Sequence, residues 1–387
     1  MIKTLVAHSR EIDDLDAFIY SIKEQLHPEK SLCSNSVGIL ACHAEFVHSG
    51  AVKALSEALP FDIVGTVTTS QSTHEACDAL MLSLMVLTSD DVSFVAQLSP
   101  PFEEDHGKAI EEAYKQATAC HNGAPALILT FAPLLVHICG DDYVEALTRL
   151  SGNVPCFGSL ALDEDETFEN SFVLFNGEHS LDCMGMILLY GNVTPRFIIA
   201  SLSPEKVAAK PVLITKSEKN IIQTVNHRPI HEYFAELGLS GATQTQFAMA
   251  ALPLMLDYGD GTPPVSRVVV GCTPEKYAVC AGVAPQGASL HLGELDKQDV
   301  LLTTGKALDL ALENAQGASC MLLYSCVSRA ITLGGDPQAE LNLVQEKIHG
   351  RLPFLIAYSG GEMCPTQTDN GKAINRFHNN TFILCML

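Results

Sequence analysis

The chain has 387 residues, and its 45 acidic and 23 basic side chains give a formal net charge of −22. This length suits two or three domains, or one large domain with a substantial core. So negative a chain is not expected to bind nucleic acid or an anionic membrane as its main partner, because both are bound through concentrated lysine and arginine.

The cysteines and the N-terminus bear on the cellular compartment. Thirteen cysteines are scattered without a C-x-x-C pair, which is typical of reduced, buried thiols in a cytosolic protein. The first residues are too acidic and too briefly apolar for a signal peptide, and the longest apolar run, 124–139, is too short to span a bilayer. We therefore expect a cytoplasmic protein without membrane insertion.

Apolar segments alternate with amphipathic helical segments over the first 160 residues. The segments 79–88 and 92–98 flank the polar residues Ser89, Asp90 and Asp91, and we expect them to pair as a hairpin. The other strands predicted in this part of the chain are 3–8, 36–42, 61–68, 126–131 and 154–160.

From residue 170 onward the pattern changes to closely spaced strands. Asn176-Gly177 is the clearest hairpin turn in the sequence, and we expect its flanks, 171–175 and 179–190, to pair antiparallel. Together with the strand–helix–strand units, this predicts an α/β fold with mixed parallel and antiparallel sheets in two related, tightly packed lobes.

One supersecondary unit is repeated along the chain. The sequences LPFDIVGTVTTS, VPCFGSLALDED and LPFLIAYSGGEM each place an apolar strand between a proline and a polar loop. Chance is the alternative explanation, because prolines and polar loops flank strands in α/β proteins generally. We place the domains at 1–215 and 216–387, and the absence of a low-complexity linker predicts that they pack tightly.

The stretch 318–364 is predicted to form a strand, a helix and a second strand. Residues 320–327 and 354–359 are apolar, and Leu341 and Val344 lie on one face of the helix between them. So short a crossover makes the strands parallel, and both then end at the same edge of the sheet, where ligands bind in open α/β folds. The strand ends carry Cys326, Ser328 and Arg329 on one side and Ser359, Gly360, Gly361 and Glu362 on the other.

These strand ends are the principal predicted ligand site. Arg329 could grip a ligand carboxylate bidentately while Glu362 holds the arginine in place. A purely structural salt bridge, with Glu362 as the partner, is an equally weighted alternative. By the same topology, polar residues after the other two repeated strands are secondary candidates: Thr68, Thr69, Ser70, Ser159 and Asp163.

Two cysteines raise the alternative of a cysteine-dependent enzyme. Cys42 precedes His43 at a strand end, and Cys326 lies near Arg329, so either thiol is a conceivable nucleophile. No general base or third orienting residue can be named for either one. The chain also lacks the phosphate-binding, dinucleotide-binding and zinc-protease motifs, and the sequence identifies no metal site.

Several of these segments resemble the FIST domain family. CVSRAITLGG, AYSGGEMCP and HNNTFIL are similar to the FIST-C half, and VGTVTTS, CFGSLALDED and NSFVLFNGEH to the FIST-N half. The chain departs from the family pattern at Thr66, where cysteine is common. The resemblance covers nearly the whole chain, which leaves no room for an output domain.

The resemblance implies a stand-alone small-molecule sensor of bacterial signal transduction, with amino acids or related metabolites as the ligand class. Its signal would pass to a separate protein, such as a histidine kinase or a cyclic-di-GMP enzyme. One branch of the family binds haem and senses nitric oxide, which is the second sensor hypothesis. That haem would be non-covalent, because no C-x-x-C-H motif is present. An interaction scaffold without a pocket is a further alternative.

Overall fold

The computed structural model describes residues 1–103, 105–164, 167–239 and 252–387. Within these residues the protein has the predicted mixed α/β fold. It consists of three repeats of one supersecondary unit and of a β-rich unit inserted into the third repeat. None of the described helices is long and apolar enough to cross a membrane.

The elements of the first two repeats follow one another without interruption. The first repeat contains β1 (Lys3–Ser9), α1 (Leu15–Leu26), α2 (Pro28–Ser31), β2 (Asn35–Cys42), α3 (Glu45–His48), α4 (Ala51–Ala58), β3 (Asp62–Val67), β4 (Gln71–Thr73), β5 (Cys77–Asp78) and β6 (Leu82–Ser89). The second contains β7 (Ser93–Leu98), α5 (His106–Thr118), β8 (Leu127–Ala132), α6 (Gly140–Ser151), β9 (Cys156–Leu160), β10 (Val173–Phe175), β11 (Glu178–Ser180) and β12 (Gly185–Tyr190).

The third repeat is split after its first strand, β13 (Arg196–Ala200), by the inserted unit. The inserted unit contains a 3-10 turn (Pro204–Lys206), β14 (Val212–Glu218), β15 (Ile221–Val225), β16 (Arg228–Pro229), α7 (Ile230–Glu236), β17 (Leu254–Asp257), β18 (Val265–Arg267), β19 (Val269–Cys272), β20 (Ala278–Cys280) and β21 (Ser289–Leu292). The repeat then continues with α8 (Lys297–Glu313), β22 (Met321–Cys326), α9 (Val327–Thr332), α10 (Gln338–Ile348), β23 (Phe354–Ser359), β24 (Glu362–Gln367), β25 (Ala373–His378) and β26 (Phe382–Met386).

The three repeats have the same strand order. Their sheets run β1-β6-β2-β3, β7-β12-β8-β9 and β13-β26-β22-β23. The last two strands of each sheet are parallel and are joined by a helical crossover, whereas the others are antiparallel. This order confirms the repeat predicted from the sequence, since its three apolar segments form β3, β9 and β23.

Each repeat completes the sheet of another repeat. The β4–β5 hairpin of the first repeat extends the third sheet beside β23. The β10–β11 hairpin of the second extends the first sheet beside β3, and the β24–β25 hairpin of the third extends the second sheet beside β9. The exchange is cyclic, so the three repeats interlock in a ring.

An apolar core lies between the inner faces of the three sheets. Leu322 and Tyr324 of β22 belong to it, together with Ile39 of β2 and Leu129 of β8. Leu323 has the opposite orientation and belongs to the cluster that joins its sheet to α8 and α10. Because helices cover the outer faces, both faces of these strands are buried, which explains their nearly continuous apolar sequences.

One predicted hairpin is wrong although its turn forms. The Ser89 hydroxyl accepts hydrogen bonds from the backbone N–H groups of Asp91 and Val92, both at 3.1 Å. The segments 79–88 and 92–98 nevertheless do not pair with each other. Because β6 has β1 and β2 on its two edges, no edge is free for β7, which pairs with β12 in the next sheet.

The Asn176-Gly177 hairpin is confirmed for the residues next to the turn. Both turn residues have positive φ, 49° and 86°, and β10 pairs antiparallel with β11. The pairing does not continue as far as predicted, because β12 leaves the hairpin and pairs with β7 and β8. The chain therefore passes from the first sheet to the second after β11.

The inserted unit has its own core and is fastened to the second and third repeats. Its strands run β18-β17-β21-β14-β15-β20-β19, with β16 beside β15, and Ile214 and Leu254 lie in its core. Arg267 of β18 is fully buried. It donates to Asp141 Oδ1 at 3.0 Å and to the Phe377 carbonyl oxygen at 2.9 Å.

Candidate functional site

The loops after β3, β9 and β23 meet where the three repeats converge. The backbone N–H of Leu162 donates to the Val67 carbonyl at 3.0 Å, and that of Leu160 donates to the Gly361 carbonyl at 2.9 Å. The carboxyl ends of one parallel strand from each repeat therefore lie together. This is the edge at which α/β sheets bind ligands.

The secondary candidates of the first repeat hold this junction together. The Ser70 carbonyl accepts the N–H of Tyr358 at 3.0 Å, and Thr68 Oγ1 donates to the Tyr358 carbonyl at 2.8 Å. The Ser70 hydroxyl donates to the carbonyl of Thr69, at 2.6 Å. Thr68 and Ser70 are buried, whereas Thr69 is half-buried. The hydroxyl of Thr68 and the carbonyl of Ser70 thus stabilise the contact between repeats.

A cavity of about 220 Å³ lies beside this junction. It is lined by the ends of β9, β22 and β23, through Leu160, Cys326 and Gly360, and by the segment 134–140 that follows β8. The inserted unit contributes β19, β20 and residues 219–220 to the lining. The cavity therefore lies between the second repeat, the third repeat and the inserted unit.

The lining of the cavity is mainly apolar. Its aliphatic and aromatic side chains include Leu134, Ile138, Leu162, Val268, Val270 and Phe377. Its few polar side chains include Ser328, Asn220 and Asn379. Lys219 and Asp142 also contribute, and their side chains approach each other to 3.6 Å. An apolar lining with few polar groups is the usual composition of a small-molecule site.

The asparagine pair after β25 carries polar atoms without partners. Asn379 lines the cavity and is 2% exposed, and its Oδ1 has no hydrogen-bond partner in the described residues. Asn380 is fully buried, and both polar atoms of its side chain lack a partner there. An unsatisfied buried polar group costs about 1–3 kcal/mol, and native proteins contain few of them. Asn379 is therefore a buried polar side chain at the cavity wall whose oxygen the described residues do not satisfy.

The salt bridge predicted between Arg329 and Glu362 is wrong, because Arg329 pairs with Glu340. Both side chains of the observed pair are fully buried, and Glu340 Oε1 lies 2.8 Å from Nη2 and 3.1 Å from Nε. Arg329 lies on α9, from which its guanidinium reaches α10 and the Val300 carbonyl of α8 at 2.9 Å. Its Nη1 has no partner among the described residues.

Glu340 is held as a carboxylate by its surroundings. Burial acts to raise its pKa, but Arg329 and three hydroxyl hydrogen bonds outweigh burial and lower the pKa below its usual value. The hydroxyls belong to Thr304, Tyr358 and Ser325, at 2.5, 2.6 and 2.7 Å. The charge of Arg329 is therefore compensated inside the third repeat.

Glu362 lies beside the cavity-lining Cys326, and its protonation state differs from that of Glu340. It accepts hydrogen bonds from Ser359 Oγ at 2.5 Å and from Thr381 Oγ1 at 2.6 Å. Burial raises the pKa of Glu362 to about 8, so the carboxyl group is protonated at neutral pH. The structure thus brings the predicted residues Ser359, Glu362 and Cys326 together, but without a fixed charge.

The two cysteines proposed as nucleophiles are buried thiols. Burial and the nearby Glu362 raise the pKa of Cys326 to about 12, and burial raises the pKa of Cys42 far above its usual value. The thiolate is the reactive form, and neither residue is prepared to supply it. Among the described residues, no group of three histidine, cysteine, aspartate or glutamate side chains is arranged to hold a metal ion.

The remaining predicted residues surround the junction. Ser159 lies opposite Glu362 in the β9–β24 pairing, and its hydroxyl lies next to that of Tyr324. Gly361 has a φ of 148°, and a Cβ there would lie 2.3 Å from Phe377 Cζ. Gly360, Cys326 and Ser328 are the predicted strand-end residues that line the cavity within the described structure.

A larger depression lies at the opposite edge of the first sheet. It has a volume of about 690 Å³ and is lined by residues 32–36 and 59–62, near the amino ends of β2 and β3. We place the candidate site in the smaller cavity for two reasons. That cavity lies at carboxyl ends of parallel strands, and it contains the unpartnered amide of Asn379.

Sequence reasoning missed the segment 134–140, Asn379 and Glu340, although the segment and Glu340 carry a signal. The segment 134–140 is apolar where a polar loop is expected after a strand, and its Val136 is 93% exposed. Glu340 is spaced by four residues from Val344 on the buried face of α10. A charged residue in that register indicates a buried ion pair.

The sequence matches the FIST N domain over residues 36–228 and the FIST C domain over residues 230–365. No curated protein matches it. The solved structures with similarity to the chain include a cyanuric acid hydrolase from A. caulinodans, with 10% identity and a TM-score of 0.37 over 100% of this chain and 99% of that one. PurL of T. maritima complexed with FGAR has 10% identity and a TM-score of 0.21, over 100% and 72% of the two chains. Similarity at this level carries no functional argument.

Fold and site together define an α/β protein whose cavity is lined by residues of both matched regions. The lining combines Leu134 and Asn220 from the first matched region with Val268 and Gly360 from the second. The chain belongs to the FIST family, whose domains are sensory domains of signal transduction.

Proposed function

We propose that this protein is a sensor that binds a small molecule in the cavity lined by its two FIST regions. Its signal passes to a separate output protein, such as a histidine kinase or a cyclic-di-GMP enzyme, in the cytoplasm. The observation that carries the proposal is the buried amide of Asn379, which lines an apolar cavity and has an Oδ1 without a partner in the described residues.

The position of the cavity supports a sensory role. A ligand there would touch the ends of β9, β22 and β23 and the inserted unit at once. Such a ligand stabilises whichever arrangement of these parts it contacts best, and it shifts their equilibrium by its difference in affinity. A change in the packing of the inserted unit would then alter the surface offered to the partner.

The charge of the chain supports a partner with a basic docking face. A net charge of −22 attracts such a face over a distance that salt shortens. The affinity for a purified histidine kinase or cyclic-di-GMP enzyme is therefore expected to fall as salt concentration rises. An affinity that does not change with salt would contradict this part of the proposal.

The haem hypothesis fits this cavity poorly. Cavities for drug-sized ligands have volumes of about 300–1,000 Å³, and a haem macrocycle is larger than such ligands. The cavity has a volume of about 220 Å³. An amino acid or a metabolite of similar size is the better match in volume, and binding is favoured over catalysis by the protonated thiols of Cys42 and Cys326.

A metabolite library screened by thermal shift tests the proposal. Val270→Phe fills the cavity from a half-buried lining position, and Leu213→Phe adds the same ring at an exposed position of the inserted unit. We expect at least one metabolite to raise the melting temperature of the wild type and of Leu213→Phe, but not of Val270→Phe. The proposal fails if no metabolite does so, or if all three proteins respond equally.

A further inference from the structure

We infer that the ligand of this cavity is an uncharged molecule with a compact apolar body and an amide-type head that pairs with the carboxamide of Asn379. This inference rests on the proposed function, because it assumes that the cavity is a ligand site. It differs from the expectation of an amino acid gripped through its carboxylate.

A ligand carboxylate would find the nearby cations already engaged. Arg329 is buried against Glu340 and is not part of the cavity lining in the described residues. Arg267 is fully buried, is not part of the cavity lining in the described residues, and pairs with Asp141, with Nη2 at 3.0 Å from Oδ1. Lys219 does line the cavity, but its side chain is 70% exposed and faces Asp142 at 3.6 Å.

A ligand ammonium group is equally disfavoured. The Asp141 carboxylate also accepts the backbone N–H of Val283 at 2.7 Å, in addition to its contacts with Arg267. Glu362, the acidic group next to Cys326, already accepts two hydroxyl hydrogen bonds. Its raised pKa keeps it neutral at neutral pH. Within the described residues, the interior of the cavity therefore presents balanced charge to a ligand.

The walls penalise any ion that enters without a partner. Val268, Val270 and Phe377 offer no hydrogen bonds from their side chains, and moving an unpaired charge into such surroundings is strongly unfavourable. An uncharged ligand avoids this cost and gains by burying its apolar body.

The polar head follows from the chemistry of Asn379. A carboxamide presents a donor and an acceptor side by side, and rotation by half a turn exchanges their positions. A ligand head that also carries both, such as a primary amide, forms two parallel hydrogen bonds with it. This pairing would satisfy the Oδ1 atom that lacks a partner within the described residues.

Four probes with the same branched body and different heads test this inference on the wild-type protein. The probes are isovaleramide, isovalerate, isoamylamine and methyl isovalerate, which are an amide, an anion, a cation and a neutral acceptor. Dissociation constants are measured by ligand-observed NMR, and Val270→Phe shows which binding occurs in the cavity. We expect isovaleramide to bind at least about tenfold more tightly than either ion.

The contribution of Asn379 is measured with Asn379→Ala and the polar variant Asn379→Ser, each checked for folding by its melting temperature. Both are expected to raise the dissociation constant of isovaleramide at least about fivefold. The dissociation constant of methyl isovalerate is expected to stay within about twofold of its wild-type value. If both variants fail to fold, the inference is decided by the relative affinities of the wild-type protein for the four probes.

The outcomes separate this inference from the proposed function. If an ion binds as tightly as isovaleramide and Val270→Phe abolishes its binding, the uncharged class is overturned while the cavity remains a ligand site. If none of the probes binds up to millimolar concentration, the inference is overturned, and the metabolite screen alone decides the proposed function. If isovaleramide binds equally well to the wild type and to Asn379→Ala, the assignment of the head to Asn379 is overturned.

Discussion

Arg329 Nη2 lies 2.8 Å from Glu340 Oε1, and neither side chain is exposed to solvent. This ion pair connects α9 to α10, and through the Val300 carbonyl it also reaches α8. Glu340 in turn accepts hydroxyl hydrogen bonds from Ser325 of β22 and Tyr358 of β23. One buried pair therefore fixes the helical layer of the third repeat to its parallel strands.

We expect Arg329→Met to lower the free energy of unfolding by about 3–5 kcal/mol, because it leaves the Glu340 carboxylate buried without its cation. The double variant Arg329→Met, Glu340→Leu is expected to lose less, since it removes both charges. Denaturant unfolding monitored by circular dichroism measures both. A double variant less stable than Arg329→Met would show that the pair is not the main source of the loss.

Glu362 predicts a pH dependence of stability. An unfolded glutamate has a pKa of about 4.3, whereas burial raises the pKa of Glu362 to about 8 in the folded protein. The folded state therefore keeps a proton that the unfolded chain releases between these values. The resulting stability is full below the lower pKa and is lost as pH rises toward the upper one, by up to roughly 1.4 kcal/mol per pH unit.

Glu362→Gln should remove this dependence, because its amide does not titrate. We expect the difference in free energy of unfolding between Glu362→Gln and the wild type to change steadily in favour of the variant as pH rises toward 8. Urea titrations at several pH values measure this difference, in which the histidine titrations common to both proteins cancel. Parallel curves for the two proteins would contradict the prediction.

Two glycines occupy equivalent positions in the parallel strand pairs. A Cβ at Gly65 would lie 1.9 Å from the Leu40 carbonyl oxygen, and one at Gly158 would lie 1.9 Å from that of Thr130. We expect Gly65→Ala or Gly158→Ala to lower the free energy of unfolding by about 3 kcal/mol or more, because the strands must move apart. Soluble yield and denaturant unfolding measure the effect.

The third repeat provides the control for this prediction. Ala357 lies opposite Tyr324 in the corresponding β22–β23 pair, with its side chain in the core between the sheets rather than on the outer face, so alanine is tolerated there. Ala357→Gly is expected to cost only about 0.5–1 kcal/mol, from the greater freedom of the unfolded chain. If Gly158→Ala were no more harmful than this control, the close approach of β8 and β9 would be disproved.

Thiol labelling is predicted to follow exposure. Cys120 and Cys272 are exposed, whereas eight of the thirteen cysteines are buried. We expect a maleimide to label these two first in the native protein, and Cys326 and Cys42 only on unfolding, since burial raises the pKa of both. Mass spectrometry of digests taken over time locates each adduct. Fast native labelling of Cys326 or Cys42 would revive the enzyme hypothesis.

Much of the fold could be predicted from local patterns. The apolar runs at 320–327 and 354–359, with an amphipathic helix between them, predicted the parallel pair β22–β23. The repeated segments predicted that β3, β9 and β23 have equivalent places. Residues within one strand–helix–strand unit are close in sequence, so their pattern carries the information.

The exchange of hairpins could not be predicted in this way. Gln71 of β4 pairs with Ala357 of β23, and Glu362 of β24 pairs with Ser159 of β9. These partners are hundreds of residues apart. The local sequence of each hairpin is equally compatible with a place at the edge of its own sheet. The same limit applies to the site: Arg329 has acidic neighbours on both α10 and β24, and only the packing of α9 selects Glu340.

The cyclic exchange also bears on how the chain can be divided. The junction between the FIST N and FIST C matches falls at residues 228–230, but β24 and β25, which complete the second sheet, come from residues 362–378. A fragment cut at that junction would expose the edge of β9 and would carry β4 and β5 without the sheet they belong to. The two halves are thus regions of sequence, whereas the unit that folds is the closed ring. During synthesis, the second sheet and the β4–β5 hairpin gain their partner strands only after the third repeat has been made.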